Sequence, residues 1–231
     1  EATRIDKKSY AGAARARVLK RFGNPSEPKA MSLIAIHQHG IPDTFSPQVL
    51  EEAAKYSLTD QKTREDFRHL PFVTIDPAGA RDHDDAVYAE PDRDPQNIGG
   101  HLIWVAIADV AHFVRSGTEL DREARRRGNS TYFPDRVVPM LPEVLSGDLC
   151  SLHQGKPRYC IAVCLQITAQ GRKISHTFHR AIICSVASLT YSEVQEGIDG
   201  KPNDKVSVLF DAVVRPLYEA YAALRLERQS R

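Results

Sequence analysis

Four aspartates stand within ten residues in the stretch Thr74-Ile75-Asp76-Pro77-Ala78-Gly79-Ala80-Arg81-Asp82-His83-Asp84-Asp85-Ala86, at the spacing D-x5-D-x-D-D. Carboxylates this close repel one another unless a cation holds them or water screens them. Oxygen-only ligands suit hard cations, Mg²⁺ above all, which takes a few carboxylates and leaves room for waters and substrate phosphate oxygens. Metal-assisted phosphate chemistry is one reading of Asp76, Asp82, Asp84 and Asp85. An acidic surface turn is the other, because Asp, Gly and Pro are ordinary turn residues. A calcium EF-hand loop is a third arrangement, but it needs Gly at its sixth position and Glu at its twelfth. Asp76 starts no such register.

The flanking residues decide how the acids are presented. Phe72-Val73-Thr74-Ile75 leads into the first Asp and Ala86-Val87-Tyr88-Ala89 leads away from the last, so the pattern is strand, acidic loop, strand. Leu102 to Ala108 shows no polar alternation and predicts a strand buried on both faces. Tyr159 to Thr168 and Lys173 to Ser185 predict an antiparallel hairpin turning at Gln170-Gly171. Helices are predicted over Pro47 to Tyr56, with Ser46 as N-cap, and over Thr118 to Arg127, with Gly128 ending it. Residues 31–41 read as a short strand and turn, residues 59–70 as a polar linker, and residues 91–100 as a loop. Ser192 to Gly197 reads as a short helix. From Asp204 onward Val206, Leu209, Val213, Leu217 and Leu224 keep helical spacing, with Pro216 kinking that helix or opening a second one.

At 231 residues the chain has room for one large domain or two small ones, and 42% hydrophobic residues can fill a core. The longest apolar run is far short of a membrane span, and no signal peptide is expected. Cys150, Cys160, Cys164 and Cys184 contain no CxxC pair, which points to a reduced, cytoplasmic protein without a zinc site. The net charge of +1 is unevenly spread. Residues 1–22 carry seven Lys/Arg against Glu1 and Asp6, whereas residues 71–100 carry seven Asp/Glu against Arg81 and Arg93. A basic arm beside an acidic pocket fits a polyanion, and equally a merely solvated arm. The Arg125-Arg126-Arg127 run has a structural explanation at a helix C-terminus, and His176 and His179 fall on opposite faces of a strand, so they form no metal pair.

T-I-D-P-x-x-A-R-D-x-D-D-A resembles the motif of the ribonuclease II/ribonuclease R (RNB) family of exoribonucleases, closest to its ribonuclease R branch. Further blocks resemble the family: Ser32 to Pro42, Val105 to His112, Tyr132 to Glu143, and Leu149-Cys150-Ser151-Leu152. The resemblance implies an α+β fold, the N-terminal part of an RNB catalytic domain with a mostly antiparallel sheet flanked by helices. It also implies remnant strands of a cold-shock/OB-type barrel ahead of it. Residues 1–22 are then the barrel remnant, 23–70 a connector, and 71–231 the start of the catalytic domain. The family's arginine-rich motif and second stacking aromatic are expected beyond Arg231, so the segment alone is expected to be weakly active or inactive, with apolar surface exposed.

The family activity is hydrolysis of single-stranded RNA from the 3′ end to nucleoside 5′-monophosphates, with Mg²⁺, or Mn²⁺ in its place. By the motif, Asp76 and Asp85 match direct metal ligands and Asp82 a direct or water-mediated one. Asp84 matches the residue most needed for turnover. Arg81 and His83 are expected to shape the loop or meet a phosphate. Tyr132 matches the tyrosine that stacks near the 3′-terminal base, and Tyr191 the one associated with ribose recognition; without the resemblance each reads as an amphipathic tyrosine at a core edge. The expected partner is the 3′ end of single-stranded RNA, with no membrane, and the parent protein is expected to be monomeric. A non-catalytic RNA-binding relative and an unrelated Mg²⁺-dependent phosphohydrolase are the competing readings.

Overall fold

A computed structural model describes residues 2–5, 16–20, 23–24, 28–59 and 63–229. Strands β1 (Ala2–Ile5) and β2 (Ala16–Lys20) pair antiparallel. The rest of the 1–22 segment read as a barrel remnant lies outside the described residues. Helix α1 (Pro28–Gln38) follows, where a strand and turn were expected. Met31, Leu33, Ile34 and Ile36 show neither a two-residue nor a helical period, so the pattern was ambiguous. Tertiary contacts settle it: Ala30 and Ile36 are buried, and the Ser32 hydroxyl donates to Asp135.

Helix α2 (Pro47–Ala53) starts as expected, with the Ser46 hydroxyl accepting from Val49 N–H at 3.3 Å. The supposed polar linker contains β3 (Glu65–Asp66), a two-residue edge strand too short to show a period. It is followed by β4 (Val73–Asp76), β5 (Asp85–Pro91), β6 (His101–Ala108) and the single-turn α3 (Val110–Phe113). Helix α4 (Glu119–Arg127) is capped by Thr118 and closed by Gly128 at φ 78°, the left-handed conformation glycine adopts freely. A small hairpin, β7 (Thr131–Phe133) and β8 (Arg136–Val138), precedes a π-helical turn over Val144–Leu149. The long hairpin is β9 (Pro157–Ile167) and β10 (Lys173–Cys184), and β11 (Ala187–Thr190) runs into α5 (Tyr191–Ile198).

One helical path closes the chain: α6 (Asp204–Leu209), a π turn over Phe210–Val214, and α7 (Arg215–Gln229). Pro216 lacks an N–H and obstructs the α-helical bond to the preceding turn, and the widened π turn accommodates it at the start of α7.

Seven strands form one sheet in the order β11-β4-β5-β6-β9-β10-β3. All pairs are antiparallel except the two edge pairs, β11 with β4 and β10 with β3. The fold is α+β with a mostly antiparallel sheet, as expected. The main core gathers Ala106, Ala162 and Ala181 of the sheet with Phe113, Leu120 and Leu145, and includes Val49 and Ala53 of α2. A second core sets Val73 and Leu189 against Val206, Val213 and Val214. Ala220 and Ala223 of α7 cover Ala89, Ile103 and Ile167. The cover stops there, so β6 is not buried on both faces throughout: Ile107 is 48% exposed. All four cysteines are free, and burial pushes the Cys150 and Cys160 thiols up to about 12, which leaves them inert packing groups. Among the described residues no helix is long and apolar enough to cross a membrane.

Candidate active site

The acidic loop joins the end of β4 to the start of β5, so Asp76 is the last residue of one strand and Asp85 the first of the next. Its backbone is pinned by three hydrogen bonds. His83 N–H donates to the Ser151 hydroxyl at 3.0 Å, Leu152 N–H donates to His83 C=O at 2.9 Å, and Ala108 N–H donates to Asp84 C=O at 2.9 Å. Ser151 is fully buried, so its hydroxyl is a fixed post rather than a surface group.

Asp76, Asp82 and Asp84 line one cleft of about 880 Å³, together with Arg81, Tyr132 and Arg136. Asp85 does not line it. Successive residues at the start of a strand project to opposite sides of the sheet, which separates Asp85 from Asp84. His83 Nδ1 lies 2.7 Å from Asp76 Oδ2, and a carboxylate there holds the ring proton on Nδ1. The Tyr132 hydroxyl donates to Asp82 Oδ2 at 3.0 Å, and the residue is 64% exposed, so Tyr132 is a wall of the cleft and no core-edge residue. Loss of solvation, the Asp82 hydrogen bond and the charges of Asp82 and Asp84 push its phenol above the usual range.

Negative charge accumulates in the cleft, and His83 offsets only part of it at Asp84. Asp84 is raised above the ordinary carboxylate value by partial burial first, then by Asp82, Asp85 and Asp76. Asp85 is raised by partial burial and by Asp76. The donor set suits a hard divalent ion, which would relieve that repulsion. Among the described residues, however, no three carboxylate, imidazole or thiol side chains converge closely enough to hold one as they stand. Asp76 faces His83 and Asp82 faces Tyr132, and both would have to turn to share an ion.

Tyr191 opens α5 and is 60% exposed. Its neighbour Thr190 pairs in parallel register with Asp76, so Tyr191 stands at the same sheet end as the acids without lining the cleft. The arginine run of α4 is structural, as read: Arg125 pairs with Asp121, and Arg126 and Arg127 pair with Glu123. Arg127 also lies over the Phe45 ring at 3.6 Å. Ser151 and Arg136 were not singled out in the sequence, because their approach to the loop comes from chain far beyond it.

The molecule is thus an α+β domain with an oxygen-rich acidic cleft at one end of a mixed sheet. Residues 64–231 match the RNB domain. Ribonuclease R of Vibrio cholerae is 39% identical over 224 residues, 93% of this chain and 26% of its own length. Ribonuclease R of Escherichia coli is 45% identical over 171 residues, 72% of this chain and 20% of its own. A structure of Mycoplasma genitalium RNase R in complex with double-stranded RNA has a TM-score of 0.85 at 28% identity, covering 99% of this chain and 40% of that one. The chain belongs to the RNB domain family. It spans about a quarter of the length of curated relatives such as the Vibrio enzymes.

Proposed function

We propose that this chain is the N-terminal part of the catalytic domain of a 3′-to-5′ exoribonuclease that releases nucleoside 5′-monophosphates from single-stranded RNA. The observation that carries this reading is the convergence of Asp76, Asp82, Asp84 and Tyr132 on one cleft, in a chain of the RNB family. Asp76, Asp82, Asp84 and Asp85 are the residues that would hold Mg²⁺ or Mn²⁺. Such an ion, when bound, masks phosphate charge, acidifies a bound water and stabilises the leaving oxygen.

The chain's own groups do the rest. Asp84, the most crowded carboxylate, orients the attacking water and accepts its proton; the new bond forms between that water oxygen and phosphorus, the P–O3′ bond breaks, and the released 3′-oxygen stays on the shortened RNA and takes a proton from solvent. Arg81 and Arg136 face the phosphate from the cleft wall. The exposed Tyr132 ring stacks on the terminal base, a contact tolerant of sequence. Tyr191 offers a phenol to the ribose 2′-OH, the group that separates RNA from DNA. A non-catalytic RNA-binding relative would need none of the four acids, and all four are present.

Linear and circular versions of one RNA, incubated with the protein that carries this chain, test the reading. Mononucleotide release from the linear form alone, abolished by EDTA and restored by Mg²⁺, is expected. Cleavage of the circle, or turnover indifferent to EDTA, would contradict it.

A further inference from the structure

A second cleft, of about 630 Å³, opens beside α3 and is lined by His112, Arg115, Ser116, Asp121 and Arg180. Its charge balance is positive. Asp109, its side chain 2% exposed, is shared by Arg64 at 2.6 Å and Arg180 at 3.0 Å, so one carboxylate serves two guanidinium groups. Asp121 is already held by Gly117 N–H and by Arg125. Among the described residues, Arg115 makes only a 3.4 Å bond to the His112 carbonyl. Arg180 gives Asp109 its Nε, and its terminal amino groups carry no protein hydrogen bond among the described residues. The same field acts on His112, whose imidazole is held below its usual range by burial and then by Arg64, with Arg180 and Arg115 adding to the effect against the opposing charge of Asp109.

Strand register ties this cleft to the acidic loop. Asp85 pairs with Ile107, Ile107 with Ile161, and Ile161 with Arg180. The row crosses three strand spacings, about 14 Å at about 4.8 Å each. Ile107 is 48% and Ile161 38% exposed, so the row is an open path with an apolar floor. Phe178, two residues before Arg180 and therefore on the same side of β10, is 68% exposed.

We propose that the α3 cleft binds the backbone phosphate of a single-stranded RNA through Arg115 and Arg180, with Phe178 as a stacking platform beside it. The proposal rests on the RNA reading above and adds a second contact to it. A cationic cleft next to an exposed aromatic is the combination that holds single strands without regard to sequence. An acidic peptide would use the arginines and leave the ring idle.

The test is fluorescence anisotropy of a labelled uridine oligonucleotide on the full chain, in EDTA, across a KCl series. Arg115→Ala is expected to weaken binding about five- to ten-fold and to flatten the log K against log salt slope by about 0.7, one single-strand phosphate contact. Phe178→Ala is expected to weaken binding about five-fold or more with an unchanged slope. Arg180→Lys, which keeps a charge on Asp109, separates loss of the guanidinium fork from loss of folding. Unchanged affinity and slope in both Arg115→Ala and Arg115→Glu would overturn the site while leaving the RNA reading intact. A wild-type chain that binds no RNA would overturn both. Displacement by polyglutamate as effective as by RNA, with Phe178→Ala silent, would assign the cleft to a peptide and overturn the proposal.

Discussion

The Tyr132 hydroxyl donates a 3.0 Å hydrogen bond to Asp82 Oδ2, tying the β7–β8 hairpin to an acid fifty positions upstream. The residue therefore has two separable parts: a phenol that holds a carboxylate and an exposed ring, for which stacking on a base is proposed. Tyr132→Phe is expected to leave RNA affinity within about three-fold, because the ring remains. Tyr132→Ala is expected to lose about 1–3 kcal/mol of binding. Equilibrium binding in EDTA checks both, and equal losses in the two variants would contradict the division.

The crowded carboxylates carry a pH signature. Asp84 and Asp85 have folded-state pKa values raised above the ordinary 3.8. The native state therefore binds their protons more tightly, and their contribution to stability falls as pH rises through the folded-state values. Without divalent ions, Asp84→Asn is expected to stabilise the chain at pH 7 by on the order of 0.5–1 kcal/mol, allowing for solvent screening. The gain should shrink towards pH 4, and Mg²⁺ should raise the wild-type Tm more than the variant's. A variant no more stable than wild type at pH 7 would contradict this.

Arg64 and Asp109 form a buried pair, each side chain 2% exposed. Burial alone would raise Asp109, but hydrogen bonds from Arg64 and Arg180 outweigh it and hold the carboxylate below its usual range. That stabilisation is present above the unfolded pKa and is lost as pH falls through the folded one. Asp109→Ala strands Arg64 in the core and is expected to cost about 3–5 kcal/mol. Chemical denaturation measures it, and a cost under about 1 kcal/mol would show that Arg64 finds water.

Local features were legible in the residues and long-range ones were not. The acidic loop, its two strands, the capped helices and the long hairpin each carry their own period or turn chemistry. Helix α1 was misread because its apolar residues face every direction. The burial of Arg64 depends on Asp109, forty-five positions away, and strand β3 on its pairing with Ala181 and Ile182 of β10; no local pattern encodes either. Ser151 belonged to a motif block, but its grip on His83 appears only once the chain returns across 68 residues. From their spacing all four acids are expected to converge, whereas Asp85, the first residue of β5, does not line the cleft that Asp76, Asp82 and Asp84 share.

Tyr191 stands one residue beyond the Thr190–Asp76 register pair. If its phenol meets the 2′-OH, Tyr191→Ala should narrow the preference for an RNA over a DNA 3′ end by about ten-fold or more, with stacking at Tyr132 unaffected. Competition between matched RNA and DNA oligonucleotides reads this directly. An unchanged preference would remove Tyr191 from ribose recognition.

In the proposed reaction Asp84 serves the chemical step and not the grip on RNA. Single-turnover release of nucleoside 5′-monophosphates, measured beside RNA affinity for the wild type and Asp84→Asn of the protein carrying this chain, tests it most directly. The expected result is a fall in rate on the order of 100-fold or more, with affinity held within a few-fold, as for a group acting mainly in the transition state. An Asp84→Asn rate within a few-fold of wild type would contradict it.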